Sequence, residues 1–191
     1  LIILTVAFHC AFVMSYESIM PIFANRGLND STGSFLGYLI MMFGAGSVVA
    51  NLMLSSASNN NIKSKYFVIS AIGSGIFPLI LGYVGSLHGD LVFSISLFII
   101  FLIGGCQSSF MSLTTTMIQK VVPDGIRGRI MSLYLLHAGG IMAFGNLILG
   151  NMADIVDYTW LFRLTGVAFL AYILFILSTQ RRFKADIISI I

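Results

Sequence analysis

The chain has 191 residues, of which 58% are hydrophobic and only 9% charged, with a formal net charge of +3 and a mean hydropathy of +0.98. A soluble domain of this size carries roughly 25% charge to cover its surface, so a soluble globular protein is excluded, and the high hydrophobicity excludes intrinsic disorder. Both cysteines, Cys10 and Cys106, lie in apolar runs, which excludes a disulfide scaffold and leaves an integral membrane protein.

Six stretches, uncharged or nearly so, each reach the about 20 helical residues needed to cross a ~30 Å hydrocarbon layer. In chain order they cover 1–24, 32–54, 66–87, 91–118, 130–153 and 158–179. Together, 1–184 form a six-helix transmembrane domain and 185–191 a C-terminal tail too short to cross. None alternates apolar and polar residues as a barrel strand does, so the expected fold is all-α. Span one is interrupted only by Glu17, and span six carries Arg163 near its start. Leu1 already lies in an apolar run with no basic segment before it, which fits a piece of a longer protein better than a signal peptide.

When the connections are assigned alternately to the two sides, eight of the ten basic residues fall on one side: Lys63, Lys65, Lys120, Arg127, Arg129, Arg181, Arg182 and Lys184. The other side holds Arg26 and Arg163, with Asp30, Asp90, Asp154 and Asp157. The positive-inside bias makes the first group cytoplasmic, and with it both ends of the chain. The basic balance is thereby explained by topology and implies no nucleic-acid partner.

Most of the 19 glycines lie inside spans. Gly33 with Gly37, Gly46 with Ala50 and Ser108 with Ser112 are four apart, one face each, where small residues let helices approach closely. Pro78, in the middle of span three, lacks a backbone donor and predicts a helix kink. The Asn29 to Thr32 segment offers capping side chains for span two, and Pro123-Asp124-Gly125 breaks the chain between spans four and five.

No catalytic residues emerge: the chain lacks the Gly-x-Ser-Gly loop of membrane proteases, a zinc-protease helix motif and a phosphate-cradling loop. His9, His88 and His137 lie in separate segments, so neither a metal site nor a cofactor is expected. Glu17 is the one acid well inside a span, where a carboxylate costs roughly 2.5–3.5 kcal/mol on insertion scales. It either couples substrate or proton movement from a cavity or snorkels to the outer interface. Cys10 shares its helical stripe seven residues earlier. Asn51, Gln107, His137 and Asn146 could line a pathway or hydrogen-bond to neighbouring helices. Arg127 and Arg129 oppose the dipole of the helix they begin. Anionic lipid headgroups would compensate them, or an ion pair with Asp124 or with helix ends outside this chain. Arg163, beside Trp160 and near Asp154 and Asp157, suits an anchor at the outer interface.

The connection from Gln119 through Val122, Pro123, Asp124, Arg127, Gly128 and Arg129 to Met131 and Ser132 is the most specific string in the chain. It resembles the run between helices ten and eleven of the major facilitator superfamily, in the branch of bacterial enterobactin exporters and macrolide efflux pumps. The stretch from Gly145 to Asp154 is similar to that branch's segment at the end of helix eleven, with Ala143-Phe144 where a proline is usual. Residues 56–65 depart from the family's Gly-x-x-x-Asp-Arg-x-Gly-Arg-Arg loop and keep only Lys63 and Lys65. The likeness is specific over about a fifth of the chain.

The resemblance implies that the six spans are helices seven to twelve, one half of a twelve-helix secondary transporter. Its absent N-terminal six-helix half, membrane lipid, a small-molecule substrate and a proton would be the partners. Export of an amphipathic drug or siderophore by a proton antiporter of the bacterial inner membrane is the implied activity, with Asp124, Arg127 and Arg129 at a cytoplasmic gate. The competing expectation is a self-contained six-helix channel or structural module acting as an oligomer.

Overall fold

The computed structural model describes residues 2–30, 32–57, 60–87, 89 and 91–179. His88, Asp90, the basic residues Arg181, Arg182 and Lys184, and the tail 185–191 lie outside the described residues. Among the described residues there is no strand, and six helices are long and apolar enough to cross a membrane. They are α1 (Ile2–Gly27), α2 (Ser34–Ser55), α3 (Asn60–Val84), α4 (Leu91–Val121), α5 (Asp124–Met152) and α6 (Tyr158–Thr179).

α3, α4 and α5 depart most in length from the predicted apolar spans, for one reason: charge marks the edge of the hydrocarbon, whereas backbone hydrogen bonding sets the helix end. α3 starts at Asn60 and carries Lys63 and Lys65 in its first turns; α4 continues past residue 118 to Val121. α5 begins at Asp124, six residues before the predicted span, because Pro123 at its N-cap holds φ −58° and ψ 145° and needs no backbone donor there. α1 is not one regular helix. It runs as α-helix over Ile2–Phe8, widens to a π-helix over His9–Val13, tightens to a 3₁₀ segment over Met14–Ser18, and ends in a second π-helix over Phe23–Gly27. Pro21, four residues after Glu17, has no N–H for the Glu17 carbonyl, which accounts for a break at this level.

α2 packs along α4, α4 along α3, and α3 along α6, while α5 rests on the irregular middle of α1. The α2–α4 seam is the closest approach. A side-chain carbon added at Gly46 would overlap the Phe101 carbonyl, and one added at Gly104 would overlap the Phe43 carbonyl. The seam is also tied by polar bonds: Ser47 Oγ donates to the Gly104 carbonyl at 3.1 Å, Asn51 Nδ2 to Ser108 Oγ at 2.5 Å, and Ser112 Oγ to Asn51 Oδ1 at 2.8 Å. The expected Gly46/Ala50 and Ser108/Ser112 faces are thus both used here. The Gly33/Gly37 pair packs against none of the described helices: Gly33 sits at the N-cap of α2 with φ +76°, and nothing lies within 4 Å of a carbon added at Gly37.

α3 keeps helical backbone on both sides of the buried Pro78. There α6 approaches so closely that a carbon added at Gly166 would lie 2.6 Å from the Gly75 carbonyl oxygen. Arg163 of α6 clamps the end of α3, donating to the Gly82 carbonyl through Nε at 3.1 Å and Nη2 at 3.0 Å, and to Ser86 Oγ at 2.8 Å. Its guanidinium stacks over Tyr83 and Trp160, 4.3 and 5.1 Å from the ring centroids. A cation on the last carbonyls of a helix is favourably placed in the dipole field. Asp157 is not its partner but receives bonds from the Thr159 N–H and hydroxyl at the start of α6.

Before α2, Asp30 performs the expected capping. Its carboxylate accepts the N–H groups of Thr32 and Gly33, each at 3.0 Å, and of Phe35 at 2.6 Å, together with the Thr32 hydroxyl at 2.8 Å. Burial pushes this carboxyl upward, but the bonds from Thr32, Phe35 and the Leu36 backbone outweigh it and hold the group below the usual carboxylate range.

Candidate functional site

Glu17 lies in the 3₁₀ segment of α1, half-buried, where α1 and α2 diverge around a cavity of about 420 Å³. The other lining residues are Met20, Pro21, Leu36, Ile40 and Phe43. Among the described residues no hydrogen bond or ion pair reaches its carboxyl group, which faces an apolar wall with its bonding capacity unused. Cys10 does not share this setting. It is buried with Val6, Tyr134 and Ala138 in the contact between α1 and α5.

The four predicted pathway residues divide. Asn51 spends both ends of its amide in the α2–α4 seam. Gln107 is buried, reaches the Val13 carbonyl only at 3.5 Å, and leaves Oε1 without a protein partner. His137 Nε2 and Asn146 Oδ1 are likewise buried without a partner. Such a group costs about 1–3 kcal/mol when it stays unsatisfied.

Sequence reasoning set His9 aside, yet it belongs to the same population. It is fully buried in the first π-helix, stacked on Phe110 at 4.4 Å and edge-on to Phe169 at 5.2 Å, with neither ring nitrogen bonded. The Tyr16 hydroxyl, next to Glu17, is also buried without a partner. Pro21 was the local signal for an irregular α1. For His9 there was none, because its π-helix has no sequence signature.

Asp124 and Arg127 form an ion pair across one turn at the start of α5, both exposed, and Arg129 is exposed beside them. The Asp124 charge is the favourable one for a helix N-terminus and offsets the arginines locally.

The faces of α2 and α5 turned away from the bundle share one pattern. Only 11% of the most apolar stretch of α2 and 22% of that of α5 is buried, against 50% for α3. On α5, Gly125, Gly128, Ser132, Leu136, Gly139, Ala143 and Gly150 recur at spacings of three, four and seven, so they form one stripe. On α2, Gly37, Met41, Gly44 and Val48 do the same. A carbon added at Gly37, Gly44, Gly125, Gly128, Gly139 or Gly150 meets nothing within 4 Å.

Among the described residues, six helices long and apolar enough to cross a membrane, two of them with open, glycine-lined faces, make an all-α membrane fold. The family model of the Major Facilitator Superfamily matches residues 3–188, and the chain belongs to that family of membrane transporters. No curated protein and no solved structure matches it.

Proposed function

We propose that this chain is helices seven to twelve of a secondary active transporter, exporting an amphipathic small molecule of the drug or siderophore kind in exchange for protons. The observation that carries this reading is Glu17: a carboxylate without a protein partner in an apolar cavity between α1 and α2. A carboxylate kept at that cost within the membrane is matched by a substrate cation or a proton that visits it in turn. Apolar side chains from Met20, Leu36, Ile40 and Phe43 would receive the rest of an amphipathic molecule.

The open stripes on α2 and α5 support the other part of the proposal, an N-terminal six-helix half that closes the pathway. Small residues exposed in register suit helices that approach closely and slide, as rocking between two halves requires. The exposed Asp124, Arg127 and Arg129 would then meet helix ends of that half at the cytoplasmic side. Gln107, His137 and Asn146 would line the route between, and Asn51 is left as a fastener. The membrane is the bacterial inner membrane, with the Lys63, Arg127 and Arg129 side inside.

The test is export by the full-length protein in proteoliposomes under an imposed proton gradient. Glu17→Gln should lower proton-driven export at least about tenfold, the equivalent of 1.4 kcal/mol, while the protein inserts normally. Unchanged export across pH would remove Glu17 from the mechanism.

A further inference from the structure

A second cavity lies further along α2, about a quarter turn around it from the Glu17 pocket and half a helical turn from the Gly37, Gly44 and Val48 stripe. It is a groove of about 280 Å³ between α2, α3 and α4, walled by Gly46, Val49, Met53, Ile69, Leu102 and Cys106. Tyr66 stands at one end. From Met53 to Gly46 it follows seven residues of α2, about 10 Å of helix.

The floor of the groove is made by the α2–α4 seam, where glycines replace side chains and the two backbones meet. The rim is apolar and exposed: Val49 is 44%, Met53 54% and Ile69 64% accessible. Of the two hydroxyls among its lining residues, Ser70 and Ser109, the first already donates to the Phe67 carbonyl at 2.9 Å. A helix, about 10 Å wide, is too large for this volume. A single hydrocarbon chain is not.

Charge distinguishes the end of the groove at Tyr66. Lys63 precedes Tyr66 by three residues and Ser70 by seven, and Lys65 precedes Ile69 by four, so the two lysines flank the groove-lining stripe of α3, one on the Ser70 edge and one on the Ile69 edge, past the edge of the hydrocarbon. Among the described residues no acidic side chain pairs with either. An apolar slot for one chain, ending one turn from two unneutralised cations, has the shape and charge of a phospholipid with an anionic headgroup. We propose that the groove seats one acyl chain of such a lipid, with its phosphate against Lys63 and Lys65. This site is independent of Glu17 and of the transport reading.

Native mass spectrometry of the full-length transporter, released from detergent after incubation with phosphatidylglycerol or phosphatidylcholine, tests it. The unaltered protein should retain one phosphatidylglycerol in preference to phosphatidylcholine. A surface lysine contributes about fivefold, so the double variant Lys63→Gln/Lys65→Gln should lower that preference by up to about thirtyfold. Leu102→Trp fills the groove and should remove that one lipid from the count. Ile69→Trp, on the exposed rim, should do the same without touching the seam, and both variants are judged only after they elute as the wild-type species. Equal retention of the two lipids by the unaltered protein overturns the proposal. So does a preference that survives loss of both lysines, or a lipid count unchanged in the tryptophan variants.

Discussion

The α2–α4 seam and the outer stripe of α5 are built from the same residues and do opposite things. In the seam, Gly46 and Gly104 lie against backbone carbonyls and leave no room for one more carbon. On α5, Gly125, Gly128, Gly139 and Gly150 lie along one stripe and face open space. A glycine in a membrane helix costs propensity relative to alanine wherever it stands. In the seam, close contact and three polar bonds offset that cost within the described residues; on α5 nothing among them does. The difference sets α5 and the matching face of α2 apart as surfaces that no other described helix covers.

The comparison breaks most readily at the seam. Gly104→Leu forces a side chain into the Phe43 backbone and should destabilise the bundle by about 3 kcal/mol, the upper part of the overpacking range, read as a lowered melting temperature in detergent. Gly139→Leu on the open face should leave that melting temperature unchanged and abolish transport by the full-length protein. If the two variants melt alike, the distinction between a closed and an open glycine face is wrong.

A smaller effect sharpens the seam itself. Asn51→Leu removes the bonds to Ser108 and Ser112 and should cost about 0.6–1.7 kcal/mol for each bond, with substrate affinity unchanged. A selective loss of substrate binding would return Asn51 to the pathway. Arg127→Ala breaks only an exposed pair and should change stability by less than about 0.5 kcal/mol. It should nevertheless reduce transport more than membrane insertion, and equal loss of both would defeat the gate.

The smallest effect concerns the entry to α2. Because the folded Asp30 carboxyl is held below its usual range, its stabilising bonds are complete above the ordinary carboxylate pKa and are lost as pH falls through the folded value. Acid titration of melting temperature should therefore bring wild type and Asp30→Asn together at low pH and separate them near neutrality.

Much of the fold was legible in residue order. The six spans, the breaker at Pro123 and the cap at Asp30 each depend on residues near in sequence, and the structure places all three. The candidate site was legible in part. Glu17 stood out because a lone acid in an apolar run is costly wherever the helix points. His9 and Tyr16 did not, since burial of their polar atoms depends on Phe110, Phe169 and other side chains far along the chain. The partners that Arg163 takes in α3, rather than the nearby Asp157, were hidden for the same reason.

By itself, then, the sequence determined a six-span membrane protein, because crossing hydrocarbon is decided by length and apolarity within each segment. Tertiary structure alone decided which glycines are packed and which are open, that Asn51 is a fastener, and that Glu17 faces a cavity. A glycine carries no side chain to announce its neighbour, and a polar group in a membrane is defined by the helix brought against it.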